Sequence, residues 1–278
     1  MQTSSRSLPS DMGDEEMHTQ QLTQEERERY SRQMLLAGVG EAGQRKLLAS
    51  KVLIVGAGGL GSPAAMYLVA SGVGEIGVVD DDDVDISNLQ RQIAHRSADV
   101  GRKKADSMAR VLAALNPEVR VNVYRERLSE DNAEDILCDR SYDFVLDCTD
   151  NFPAKFLIND ACVRLHKPFS HAGITGFSGQ IMTVLPRESP CYRCIFEDVP
   201  KEGTVPTSRE IGVLGAAVGV MGSLQAVEAV KYILGIGDLL VGRLLIYDAL
   251  TMRFREVELP KRNERCAACN EEVMSQEF

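Results

Sequence analysis

The sequence predicts an α/β fold in which a parallel sheet is extended by antiparallel strands into one large mixed sheet that carries a four-cysteine metal site. Three observations predict it. Buried-strand runs alternate with helical periods through the first half; the first of these runs leads directly into a Gly-X-Gly-X-X-Gly turn; and strands succeed one another with few helices near the end. With 278 residues, 44% hydrophobic and 26% charged, the chain can build one large core.

Residues 1–22 are polar, rich in Ser, Gln, Asp and Glu, and lack any period, so they are expected to form a disordered tail. Residues 23–278 then form a single domain with two halves, 23–165 and 166–278. Thr23 with Glu26 three positions on makes a capping box for a helix carrying Glu25 to Met34. Val52–Val55 reads as a buried strand, the glycine turn follows, and a helix runs on to about Ala70. Strands are expected at Ile76–Val79, Val119–Tyr124 and Phe144–Asp147, with helices over Lys103–Leu115 and Pro153–Leu165. In the second half, Gln180–Leu185, Leu244–Tyr247 and Phe254–Leu259 read as strands, with a long helix over Ile211–Leu234 between the first two.

Composition narrows the function. A net charge of −10 and a pI near 5.0 repel phosphate backbones and anionic lipid, so neither nucleic acid nor membrane is an expected partner. The most apolar stretch, Ile211–Leu224, has 14 residues, fewer than the roughly 20 a bilayer requires. No secretory signal opens the chain, and a cytoplasmic location is expected. Of seven cysteines, four form two Cys-X-X-Cys pairs, Cys191/Cys194 and Cys266/Cys269, with 71 residues between the pairs. In a reducing compartment this pattern favours metal over disulfide, and four thiolates with no open position describe structural zinc. Cys138, Cys148 and Cys162 stand in apolar surroundings and read as core.

Gly56, Gly58 and Gly61 let the backbone turn tightly and bring phosphates to a helix N-terminus. Asp80, 24 positions after Gly56, can accept hydrogen bonds from ribose hydroxyls. So far a nicotinamide-dependent dehydrogenase is the favoured reading. The segment Asp80 to Gln92 reverses that preference: an acidic turn containing Asp82 precedes Ser87, Asn88 and Arg91, and Lys104 follows on the next helix. Hydride transfer has no use for cations converging on phosphates, whereas attack at an α-phosphate does. After the fourth strand, Asp147-Cys148-Thr149-Asp150-Asn151 faces the ligand crevice. Asp150 there either holds magnesium or caps the following helix, and Asp147 orients it. No P-loop is present. Gly173, Gly176 and Gly179 either shape a groove for an incoming tail or serve as turns.

Taken together, Arg29-Tyr30-Ser31-Arg32-Gln33, the glycine turn, Asp80 to Gln92, Asp147 to Asn151 and the two cysteine pairs resemble the ubiquitin-activating-type adenylyltransferases. The resemblance is closest to those acting on sulfur carriers in molybdopterin and thiamine biosynthesis, and runs from about Glu26 to Cys269. It implies a Rossmann-like domain that binds ATP, with Gly59 against the phosphates and Asp80 on the ribose. Asn88, Arg91 and Lys104 would contact the triphosphate, and Asp150 would position Mg2+; Asp82, Ser87 and Asn151 complete the candidate cofactor set. It further implies a homodimer in which Arg32 reaches into the partner subunit's nucleotide site. The implied reaction adenylates the C-terminal glycine of a ubiquitin-like carrier ending in Gly-Gly, and the second half would hold both carrier and zinc. Relatives often carry a cysteine near Pro206-Thr207-Ser208; here Ser208 stands in that place, so sulfur is expected to come from a separate donor. A silent ATP-binding scaffold of the same fold and an NAD-linked oxidoreductase remain as alternatives.

Overall fold

A computed structural model describes residues 21–201, 203–205 and 208–270, with Ser208 and Arg209 described as helix backbone only. The expected tail therefore lies outside the described residues up to position 20, while Leu22 is already buried. Thr23 caps α1 (Gln24–Arg29) by the expected capping box, its hydroxyl accepting from the Glu26 amide. The helix does not continue to Met34 as expected. It breaks at Tyr30, and α2 (Ser31–Met34) starts afresh; the Tyr30 side chain is buried, its hydroxyl accepting a hydrogen bond from Asn116 Nδ2 at 2.8 Å.

An eight-stranded sheet follows, built from β1 (Lys51–Val55), β2 (Glu75–Val79), β3 (Arg120–Tyr124), β4 (Phe144–Asp147), β5 (Phe169–Thr175), β6 (Ser178–Val184), β7 (Arg243–Asp248) and β8 (Arg253–Glu258). The spatial order is β3-β2-β1-β4-β5-β6-β7-β8. The first five pair in parallel and the last three join antiparallel, as the sequence predicts. On β1, Val52 and Ile54 enter one core while Leu53 and Val55 enter the other. Both faces of a parallel strand must be apolar when helices cover both. β5 was not expected as a separate strand; its Ser170, His171 and Gly173 interrupt the apolar period, yet all of Phe169–Ala172 is buried.

One face of the sheet is covered by α3 (Gly40–Ala49), α4 (Gly61–Ser71), α5 (Lys104–Leu115) and α10 (Gly215–Leu234); the other by α6 (Ala133–Asp139), α7 (Phe152–Arg164) and the short α8 (Tyr192–Ile195). A separate turn, α9 (Ser208–Ile211), precedes α10, so the long helix begins at Gly215 and not at Ile211. With 20 residues it is long and apolar enough to span a bilayer, which corrects the length argument. Its packing decides otherwise. Gln225 and Glu228 are buried, Gln225 Nε2 donating to the carbonyls of Asp147 (2.9 Å) and Ser170 (3.2 Å), and Glu228 accepting from the Leu240 amide at 2.7 Å. Such paired polar groups fix a core helix in one register against the sheet.

Candidate functional site

The carboxyl ends of β1, β2 and β4 converge on one crevice. Gly56 has φ +105, and a Cβ there would stand 2.7 Å from the Cys148 carbonyl, so only glycine lets the loop after β1 lie against the loop after β4. Gly61 is equally constrained, because a Cβ would collide with the Gly56 carbonyl and open the turn at the start of α4. Both peptide faces of Ala57 are clamped. Its N–H donates to Asp80 Oδ2 at 2.8 Å, and its carbonyl lies 2.9 Å from His95 Nε2, whose other nitrogen meets Ser107 Oγ at 2.9 Å. Sequence reading did not find His95; a lone buried histidine gives no signal until the loop it supports is placed.

Asp80 also accepts from the Asp82 amide at 2.9 Å, one bond on each oxygen. A carboxylate has about four acceptor positions, so two remain for hydroxyls. Burial pushes the Asp80 carboxyl above its ordinary range, opposed by the nearby Lys104 charge. Lys104 is buried and ion-paired to Asp82 Oδ2 at 2.7 Å. Ser87 and Asn88 sit in a single turn after Asp85, whose side chain accepts from both the amide and the hydroxyl of Ser87. Arg91 is half-buried beside Gly59, its Cγ 3.5 Å from where a Gly59 Cβ would stand. Among the described residues its guanidinium has no carboxylate partner and one hydrogen bond, to the Ser87 carbonyl at 3.2 Å.

The structure corrects the cap reading of Asp150. The helix cap is Asn151, whose Oδ1 accepts from the Ala154 amide at 3.0 Å, so Asp150 stays exposed and available while Asn151 is engaged. Behind this turn Asp147 is fully buried. Its Oδ1 accepts from the Thr149 amide (3.1 Å) and hydroxyl (2.7 Å), and its Oδ2 lies 2.8 Å from His171 Nδ1 and 3.3 Å from Lys155 Nζ. Burial alone would raise its pKa, but the Lys155 charge and the His171 and Thr149 hydrogen bonds outweigh it and hold the carboxyl well below its usual range. A depressed folded pKa stabilises the fold above the unfolded value of about 4 and loses that contribution as pH falls below it. Urea midpoints followed from pH 7 to 3 should therefore fall more steeply for wild type than for Asp147→Asn. The variant starts about 3–5 kcal/mol lower at pH 7, since Lys155 is left unpaired; parallel curves would contradict this.

Arg32 is not brought to this crevice. It is exposed on α2, whose neighbour Gln33 donates to the Ser71 carbonyl at the far end of α4. The eleven residues of α4 separate it from the glycine turn by about 16 Å within the same chain.

The second half brings all four paired cysteines together, buried. Sγ separations are 3.8 Å for Cys191–Cys194, 3.6 Å for Cys191–Cys266 and 3.8 Å for Cys194–Cys269. A disulfide needs about 2.0 Å, whereas a tetrahedron with metal–sulfur bonds of about 2.3 Å has edges of about 3.8 Å, so the knuckle fits a tetrahedral ion. The Asn263 amide points at Cys194 Sγ at 3.5 Å, as a partner of a thiolate should. Cys148 and Cys162 are buried as expected; Cys138 is exposed, at the outer end of α6, and is not core.

The family model described as the ThiF family matches residues 30–268. The chain belongs to the ThiF family. Among ThiF-family relatives, the sulfur carrier protein adenylyltransferase of Thermus thermophilus is 48% identical over 261 residues, covering 92% of this chain and 95% of that one. The SAMP-activating enzyme E1 of Haloferax volcanii is 46% identical over 244 residues, covering 88% and 89%. Among solved structures, Escherichia coli MccB matches with a TM-score of 0.76 at 23% identity over 88% of this chain and 75% of that one, a likeness of fold. The matched span takes in the mixed sheet, the glycine turn and three of the four knuckle cysteines.

Proposed function

We propose that this ThiF-family enzyme adenylates the C-terminal glycine of a small ubiquitin-like sulfur-carrier protein ending in Gly-Gly. A carboxylate oxygen of the tail attacks the α-phosphorus of ATP, the bond to the bridging oxygen of the β-phosphate breaks, and pyrophosphate leaves with that electron pair. The observation that carries this reading is Arg91: a cation without a carboxylate partner among the described residues, held beside a glycine turn that admits phosphates. Lys104 adds a second cation once a phosphate competes with Asp82, and Asp80 receives the ribose hydroxyls. Such preset charges stabilise the α-phosphate as negative charge grows on its oxygens. The names of the relatives support the substrate class.

Asp150 would hold Mg2+, which when bound offsets phosphate charge; Cys191, Cys194, Cys266 and Cys269 would hold Zn2+. A homodimer would bring Arg32 to the partner subunit's crevice, which its distance from its own glycine turn favours. Sulfur would come from a separate donor, because the expected reactive position is Ser208, whose side chain lies outside the described residues, as do Pro206 and Thr207. The setting proposed is the cytoplasm. The test is exchange of labelled pyrophosphate into ATP with candidate carriers: exchange that depends on an intact Gly-Gly terminus is expected. ATP binding without exchange would indicate a silent scaffold, and NADH binding an oxidoreductase.

A further inference from the structure

Asp147 and His171 are buried behind the Thr149–Asp150 turn, and they form a densely bonded polar cluster. Asp147 receives four donor groups: the Thr149 amide and hydroxyl, Lys155 Nζ and the His171 ring. Lys155 adds a bond to the Ala172 carbonyl at 2.7 Å, tying α7 to β5. The backbone carbonyl of Asp147 is held from the other face by Gln225. The Thr149 end of this cluster is the residue next to Asp150.

Proton counting makes the arrangement specific. An ionised carboxylate only accepts, so His171 Nδ1 carries the hydrogen and Nε2 presents a bare lone pair. That Nε2 is buried with no hydrogen-bond partner, and the ring lies 4.3 Å from the Tyr192 ring. A buried acceptor without a donor costs stability, and phenylalanine would fill the same space without it. What the imidazole supplies that phenylalanine cannot is the single Nδ1–H bond to Asp147.

We propose that His171 and Asp147 form a buried positioning pair that fixes the Thr149 turn, so that the Asp150 carboxylate is preset for a divalent cation bound with ATP. This rests on the functional reading above. His171 orients the Asp147 carboxylate through Oδ2, the same carboxylate holds the turn through Oδ1, and neither residue touches substrate. Groups that orient a metal-binding carboxylate typically change cation affinity by about 10–100-fold when removed.

Two substitutions divide the ring. His171→Asn keeps a side-chain N–H near the Nδ1 position and discards the ring; His171→Phe keeps the ring on Tyr192 and discards the donor. Calorimetric titration of ATP into the full chain at stepped Mg2+ concentrations gives the Mg2+ midpoint for nucleotide binding. The midpoint should rise about tenfold in His171→Phe and stay within about twofold of wild type in His171→Asn, with magnesium-free ATP affinity the same in all three. An unchanged midpoint in His171→Phe, or equal impairment in both variants, overturns the pair. Should His171→Phe fail to fold, Thr149→Val, which removes only the hydroxyl on Asp147, must raise the midpoint severalfold; if it does not, the proposal falls. A wild type whose ATP binding ignores Mg2+ sinks the functional reading together with the pair, whereas normal wild-type behaviour with insensitive variants sinks the pair alone.

Discussion

Replacing Arg91 with alanine is expected to lower carrier-dependent pyrophosphate exchange by about 10²–10³ and to leave the fold standing. The loss is large because a fixed cation beside Gly59 stabilises charge that grows at the α-phosphate only as the reaction proceeds. The fold survives because Arg91 has no carboxylate partner among the described residues and one weak bond, to Ser87. Its removal strands no buried charge, and the stability change should stay within about 0.5 kcal/mol. Lys104 would make a poorer test, since its loss abandons Asp82 and disturbs Asp80. The variant also probes the proposed dimer. If Arg32 serves the partner subunit's site, mixing Arg91→Ala with Arg32→Ala regains activity, since half the reassorted dimers are mixed and each holds one whole site of two. About a quarter of wild-type activity should return. An Arg91→Ala enzyme with full exchange would remove the central cation from the mechanism; no recovery on mixing would remove Arg32 from it.

Cys266→Ser should release the proposed zinc and lower Tm by on the order of 10 °C, a loss of several kcal/mol for a chain of this size. The knuckle joins the segment after β8 to α8, which packs through Tyr192 on Phe156 and His171. Outside the knuckle, Arg262 donates to the Arg187 carbonyl, and β8 is an edge strand with nearly every residue exposed. Amide exchange should therefore accelerate first over Arg253–Glu258 and only later in β1 and β2. Metal content, Tm and the exchange map together decide it: a Tm unchanged by Cys266→Ser or by a strong chelator would mean that the knuckle contributes nothing to stability.

The parts of this fold legible in the sequence were those with a local signature. Val52–Val55 running into Gly56 fixed strand, turn and helix, and Thr23 with Glu26 marked a helix start that the structure reproduces. What escaped needed a partner far along the chain. β5 hides because Ser170 and His171 look polar until α10 and β4 cover them. Tyr30, where α1 ends early, is buried with its hydroxyl bonded to Asn116, 86 positions away. The site divides the same way: glycines, Asp80, Arg91, Lys104 and Asp150 carry motif spacing, while His95, Lys155 and His171 act on backbone or carboxylates that only the folded sheet brings within reach. The cap reading of Asp150 failed on one residue, since Asn151 takes the cap.

The two halves of the cysteine knuckle stand 75 positions apart in the chain. At translation speeds of about 5–20 residues per second, Cys266 is synthesised roughly 4–15 s after Cys191. Throughout that interval the growing chain offers only two of the four knuckle thiols, half of the coordination sphere of a tetrahedral ion. If the proposed zinc fills the knuckle, the tie between the segment after β8 and α8 closes only after the nucleotide half has been synthesised.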